Sequence, residues 1–153
     1  MYDIVIKDGL VIDPSQGIHE HMDVAVSRGR IADLRRGVNA TEARHVINAS
    51  GRIVTPGLID MHVHCCYKLA YIGIDPESAC LAKGSTTVID AGSMGELLFM
   101  GFKKYIIDVS KTRIYAFLNI ESQGMIEFSR SQKWPELIMG NAVSYTHLTL
   151  PTN

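Results

Sequence analysis

At 153 residues, with 46% hydrophobic and 20% charged side chains, the chain has the composition of a globular protein with a sizeable core, which excludes a wholly disordered chain. Its 15 basic and 16 acidic residues leave a formal net charge of -1, and no basic run exceeds the pairs Arg35-Arg36 and Lys103-Lys104, so no nucleic-acid partner is expected. The three cysteines, Cys65, Cys66 and Cys80, are odd in number with two adjacent, which excludes a secreted disulfide framework and fits a reducing cytoplasm.

Tyr2-Asp3-Ile4-Val5-Ile6-Lys7 alternates polar and apolar residues where a secretion signal would place a basic segment and then an apolar one. Apolar stretches are broken every few residues, far short of the roughly 20 that cross a bilayer, so a soluble cytoplasmic protein without a membrane partner is expected. Over residues 1–54 short alternating runs predict small antiparallel strands at 3–7, 10–12, 23–27, 30–34, 45–48 and 52–54. Asp8-Gly9, Asp13-Pro14, Gly17, Arg28-Gly29-Arg30 and Ser50-Gly51-Arg52 read as the turns between them. This region is read as a small β-sandwich or half of one.

Beyond Thr55-Pro56-Gly57 strands begin to alternate with helical segments, the pattern of βαβ units with a parallel sheet, and 55–141 is read as a second domain. A strand at 58–62 leads to a helix over 76–83, introduced by Asp75 as N-cap and Pro76 at the first helical position and closed by Gly84. Ser85-Thr86-Thr87-Val88-Ile89-Asp90 is a β-branched run suited to a buried strand. Ser93 and Glu96 form a capping-box pattern for a helix over 95–110, with Leu98, Phe102, Tyr105, Ile106 and Val109 on one face and Leu98, Phe102 and Ile106 as core. A third strand is expected at 113–120, and 121–139 reads as a loop with a partial helix.

The chemistry sits in Asp60-Met61-His62-Val63-His64, where the first parallel strand ends. Side chains two apart on a strand share a face, so both imidazoles are presented at the carboxyl end, where barrel enzymes keep their reactive groups. Two neutral imidazoles suit zinc and its neighbours, and a zinc site with open positions brings bound water to a pKa of about 7. Taken alone, the pair reads equally well as two polar residues at a strand exit.

The longer string, Ile53-Val54-Thr55-Pro56-Gly57-Leu58-Ile59-Asp60-Met61-His62-Val63-His64, closely resembles the entry to the amidohydrolase superfamily. The resemblance runs from Asp3-Ile4-Val5-Ile6-Lys7-Asp8-Gly9 through Thr86-Thr87-Val88-Ile89-Asp90-Ala91-Gly92-Ser93 to Arg113-Ile114-Tyr115-Ala116-Phe117-Leu118-Asn119-Ile120, and is strongest to the deacetylase-type, dihydroorotase-like branch. It implies a (β/α)8 barrel, of which about three βα units fit here, preceded by part of a flanking β-sandwich. It also implies one or two divalent metals, zinc above all, with His62 and His64 as ligands, and water-driven hydrolysis of a small amide or ester substrate. Homo-oligomerisation of the parent protein fits the same resemblance. The alternatives are a cyclic-amide hydrolase of the dihydroorotase or hydantoinase kind and a truncated chain without catalysis.

The lysine, later histidines and aspartate that complete such a site belong to later strands and have no counterpart here, so the chain by itself reads as an inactive N-terminal fragment with no catalytic residue in view. Asp60 receives no catalytic role. His19-Glu20-His21 reads as a solvated loop, and Cys65 and Cys66 as packing. Ser93 and Asn119, at the ends of the second and third strands, are candidates to line a substrate pocket, with a helix cap for Ser93 and a turn for Asn119 as the plainer roles. Residues 142–153 (Ala-Val-Ser-Tyr-Thr-His-Leu-Thr-Leu-Pro-Thr-Asn) resemble translated adapter sequence and are read as a non-native tail, the alternative being a divergent loop, so His147 is not counted as a ligand.

Overall fold

The computed structural model describes residues 1–126, which fall into two compact units, Met1–Pro56 and a second that begins at Gly57. The loop and partial helix expected after residue 126, and the tail 142–153, lie outside the described residues.

The first unit is one sheet of β1 (Tyr2–Asp13), β2 (Ile18–Ser27), β3 (Arg30–Arg35), β4 (Ala43–Asn48) and β5 (Ile53–Val54), in the order β3-β2-β1-β4 with β5 also beside β1. The expected all-antiparallel arrangement is corrected: β1–β2 and β2–β3 are antiparallel, but β4 and β5 run parallel to β1. The expected break at Asp8-Gly9 is corrected as well, because 3–7 and 10–12 belong to the single strand β1. There the pairing passes from Ile6 opposite Val24 to Gly9 opposite Met22, so β1 carries one extra residue, a β-bulge. Asp8, at φ 61°, turns its N–H out of the ladder to Asp23 Oδ1 at 2.8 Å.

Asp23 is buried and also accepts from Val38 N–H at 2.8 Å and from Lys7 Nζ at 3.1 Å. Burial pushes its carboxyl group up, but the N–H groups of Asp8 and Val38 and the Lys7 ammonium together outweigh that and hold it below the usual carboxylate value. Gly9 has a steric reason to be glycine, since a Cβ there would stand 2.5 Å from Val54 Cγ2 and 3.1 Å from the Ala49 Cβ. His19, Glu20 and His21, read from sequence as a loop, are exposed residues of β2.

The second unit is mixed α/β, the class expected from the sequence: a parallel sheet of β6 (Leu58–Val63), β7 (Ser85–Asp90) and β8 (Arg113–Ala116), in that order. Between β6 and β7 lies α1 (Pro76–Ala79), with the Asp75 side chain accepting from Glu77 N–H, followed by a 3-10 turn at Leu81–Lys83. Gly84 closes that turn at φ 98°, a conformation that disfavours side chains. Between β7 and β8 lies α2 (Glu96–Phe102), which widens into a π-helical turn over Lys103–Ile107, with Asp108 N–H bonded to Lys103 O at 2.8 Å.

That wide turn alters the expected helix face. Phe102 is fully buried and Ile106 and Ile107 pack on the core, whereas Tyr105 and Val109 turn outward; Leu98, expected in the core, is partly exposed although it precedes the turn. One additional residue per turn rotates everything beyond it, which the 3.6-residue period does not anticipate. Each strand sends a buried apolar residue into the core, Val63, Val88 and Ile114, packed with Cys65, Cys66, Cys80, Met94 and Phe102. Full burial of a side chain such as Val88 stabilises by about 1.5–3 kcal/mol. The third strand is shorter than expected, ending at Ala116.

Candidate metal centre

The site is built where β6 and β7 end. Between Asp60 and Val63 the pairing with β7 shifts by one residue, so a bulge falls at Met61-His62 and the strand is not regular where the two histidines lie. Bulges beside active sites re-aim side chains. Here the His62 and His64 rings are brought edge to face with centroids 5.5 Å apart. Asp60 turns back on its own chain, its Oδ1 accepting from His62 N–H at 3.1 Å. Backbone bonds fix the exit of the strand: Ala91 N–H reaches Val63 O at 2.8 Å and Ile74 N–H reaches His64 O at 2.8 Å.

Both rings can offer nitrogen donors, and His62 is exposed while His64 is half-buried. This donor set fits a divalent ion of the zinc kind. Among the described residues no group of three or more His, Cys, Asp and Glu side chains could hold a metal, so these two would supply only part of a coordination sphere.

Asp90, which sequence reading passed over, organises the surroundings. It ends β7 and is completely buried, and its carboxyl group accepts from Cys65 N–H at 2.8 Å, Ser93 N–H at 2.6 Å and the Ser93 hydroxyl at 2.7 Å. It therefore joins the loop after β6 to the loop after β7. The signal was an acidic residue closing a β-branched run at the sheet end that also carries the histidines.

Ser93 is buried and does not cap α2, contrary to the capping-box pattern. Gly95 is the N-cap residue, without a side-chain cap bond, and Leu97 N–H is taken by Ser122 O at 3.0 Å. The Ser93 oxygen lies 3.0 Å from His64 Nδ1. Asn119 spans two loops: its Nδ2 donates to Gly92 O at 2.6 Å and its Oδ1 accepts from Glu121 N–H at 2.9 Å. Cys65 and Cys66 are buried free thiols packed in the core. Burial first, then the neighbouring Asp90, pushes the Cys65 thiol far up, and burial does the same for Cys66 to a lesser degree. No described helix is long and apolar enough to cross a membrane.

No family model matches the chain. It is 40% identical over 102 residues to a deacetylase from Agrobacterium fabrum, a match covering 67% of this chain and 25% of that protein. It is 56% identical over 61 residues to a dihydroorotase from Geobacter metallireducens, covering 40% of this chain and 14% of that one. The chain thus spans about a quarter or less of the length of these curated relatives.

Among solved structures, a dihydroorotase superposes with a TM-score of 0.72 at 33% identity, over 81% of this chain and 32% of its own. An adenine deaminase does so with a TM-score of 0.71 at 26% identity, over 94% and 38%. A D-aminoacylase described as having a binuclear metal centre matches at 31% identity with a TM-score of 0.50, over 61% and 19%.

Proposed function

The chain belongs to the amidohydrolase superfamily, and on that premise we propose that it carries the first metal-binding element of a hydrolase that cleaves an amide or ester bond of a small acylated substrate. The observation that carries this reading is the placement of His62 and His64 at the carboxyl end of a parallel strand, rings 5.5 Å apart. The chemistry a divalent ion supplies when bound is polarisation of a carbonyl and a hydroxide-like nucleophile at neutral pH. What this chain contributes is two imidazole donors, a strand end bulged beside them, and buried groups behind His64 that hold its ring.

The three βα-type strands are read as the start of a (β/α)8 barrel, and the sheet of the first unit as one layer of a flanking β-sandwich. Support comes from the exposed apolar residues Leu58, Ile59 and Met61 on β6 and Phe117 and Ile120 after β8, which an extended and covered sheet would bury. With two ligands in 1–126, turnover is proposed to need the further ligands that the superfamily takes from later strands, so residues 1–153 alone are expected to be inactive. A deacetylase is favoured, because deacetylases match over 102 and 109 residues while dihydroorotases match over 61. A cyclic-amide hydrolase is the second reading, favoured by the higher identity of that shorter match.

The test is zinc binding to the chain, by competition with a chromophoric chelator, for the unmodified sequence and for His62→Ala and His64→Ala. Binding lost in both variants supports the reading. Equal zinc binding by all three chains removes His62 and His64 as ligands. In the protein that carries this sequence with its later strands, faster hydrolysis of N-acetyl compounds than of cyclic ureides would favour the deacetylase, and the reverse the second reading.

A further inference from the structure

The loops after β6 and β7 hold a hydrogen-bonded chain running from Asp90 through Ser93 to His64. A serine hydroxyl has a single proton to give. Here it points to Asp90 Oδ2 at 2.7 Å, so the same oxygen meets His64 Nδ1, 3.0 Å away, as an acceptor. The opposite arrangement, with the hydroxyl donating to the ring, would set lone pairs of two oxygens against each other at 2.7 Å between residues with no solvent exposure. Buried polar atoms facing each other without a proton between them are costly. With the hydroxyl committed to Asp90, the hydrogen in the Ser93–His64 contact would have to come from Nδ1, and a neutral imidazole protonated there keeps its free lone pair on Nε2.

We propose that Asp90 and Ser93 are a positioning pair that holds His64 in its Nδ1–H tautomer and fixes the ring, so that Nε2 is the atom offered to a divalent cation. The inference rests on the reading of His62 and His64 as ligands. Neither Asp90 nor Ser93 touches the ion in this arrangement; both act through His64. Asp90 is anchored independently of the ring, by the N–H groups of Cys65 and Ser93, so the acceptor that orients the hydroxyl stays in place whether or not a cation is bound. Outer partners of this kind set ligand orientation and basicity, and removing one weakens metal binding by about 10- to 100-fold.

The experiment is the 15N spectrum of histidine-labelled full chain without metal, above the usual imidazole titration range, with magic-angle spinning so that association does not matter. The expected result is a His64 Nδ1 shift of the protonated, pyrrole type and an Nε2 shift of the bare, pyridine type. In Ser93→Ala this preference should be lost, with apparent zinc affinity about 10- to 100-fold weaker by chelator competition. An Nε2–H tautomer in the unmodified chain overturns the proposal, and that measurement stands even if Ser93→Ala does not fold. A folded Ser93→Ala chain that keeps the Nδ1–H tautomer and full zinc affinity also overturns it. An Nδ1–H tautomer together with absence of zinc binding would retire the ligand reading of His62 and His64 and leave the tautomer lock standing.

Discussion

Replacing Asp90 by alanine tests whether one buried carboxyl group ties together the two loops that form the site. The variant takes the acceptor from Cys65 N–H, Ser93 N–H and the Ser93 hydroxyl. The hydroxyl can rotate to another acceptor, but the two amides belong to the backbone of the loops after β6 and β7 and cannot turn away without moving those loops. A buried donor left without a partner costs about 1–3 kcal/mol, so two such amides predict a loss of about 2–6 kcal/mol, to which the small void adds. That is a large share of the roughly 5–15 kcal/mol that holds a domain folded. Asp90→Asn keeps one acceptor oxygen and sets an amide group against the other N–H, so about half the loss is expected. Urea unfolding gives the magnitude, and amide hydrogen exchange at Cys65 and Ser93 gives the location, both amides exchanging faster in Asp90→Ala. A loss below about 1 kcal/mol, with slow exchange kept at both amides, would refute the assignment of Asp90 as the tie between the loops.

Further outcomes follow from other buried groups. Because the Asp23 carboxyl group is held below its ordinary value of 3.8, its contribution is fully present above that value and is lost as pH falls through the lower folded one. Acid unfolding of the first unit should accordingly lose part of its steepness in Asp23→Asn, and identical acid limbs would contradict this. Cys65, Cys66 and Cys80 are all buried, so a thiol reagent should label none of them in the folded chain and all three in urea, as mass spectrometry would show. A Cβ at Gly95 would collide with the Glu121 carbonyl oxygen, so Gly95→Ala should part the bridge between Gly95 and Asn119 and destabilise the second unit by about 2 kcal/mol or more. An unchanged unfolding midpoint would show that this close approach yields freely.

Features governed by neighbours along the chain were legible from sequence. The β-branched run became β7, and Asp75, Pro76 and Gly84 bound the first helical segment as their chemistry dictates. His62 and His64 stood out because residue type and spacing are local properties, and the string around them carried the resemblance to the amidohydrolases.

What distant segments do to one another had to come from the folded chain. Asp8-Gly9 has the composition of a turn, yet it is a bulge because Asp23, 15 residues away, accepts the freed N–H and Val54 and Ala49 crowd Gly9. Ser93 has the spacing of a helix cap, yet a buried carboxyl group three residues earlier holds its hydroxyl against His64, 29 residues back in sequence. Local preferences of this kind are worth about 1 kcal/mol. Leaving a buried carboxyl group or a strand amide without a partner costs as much or more, so where the two compete, pairing across the fold decides.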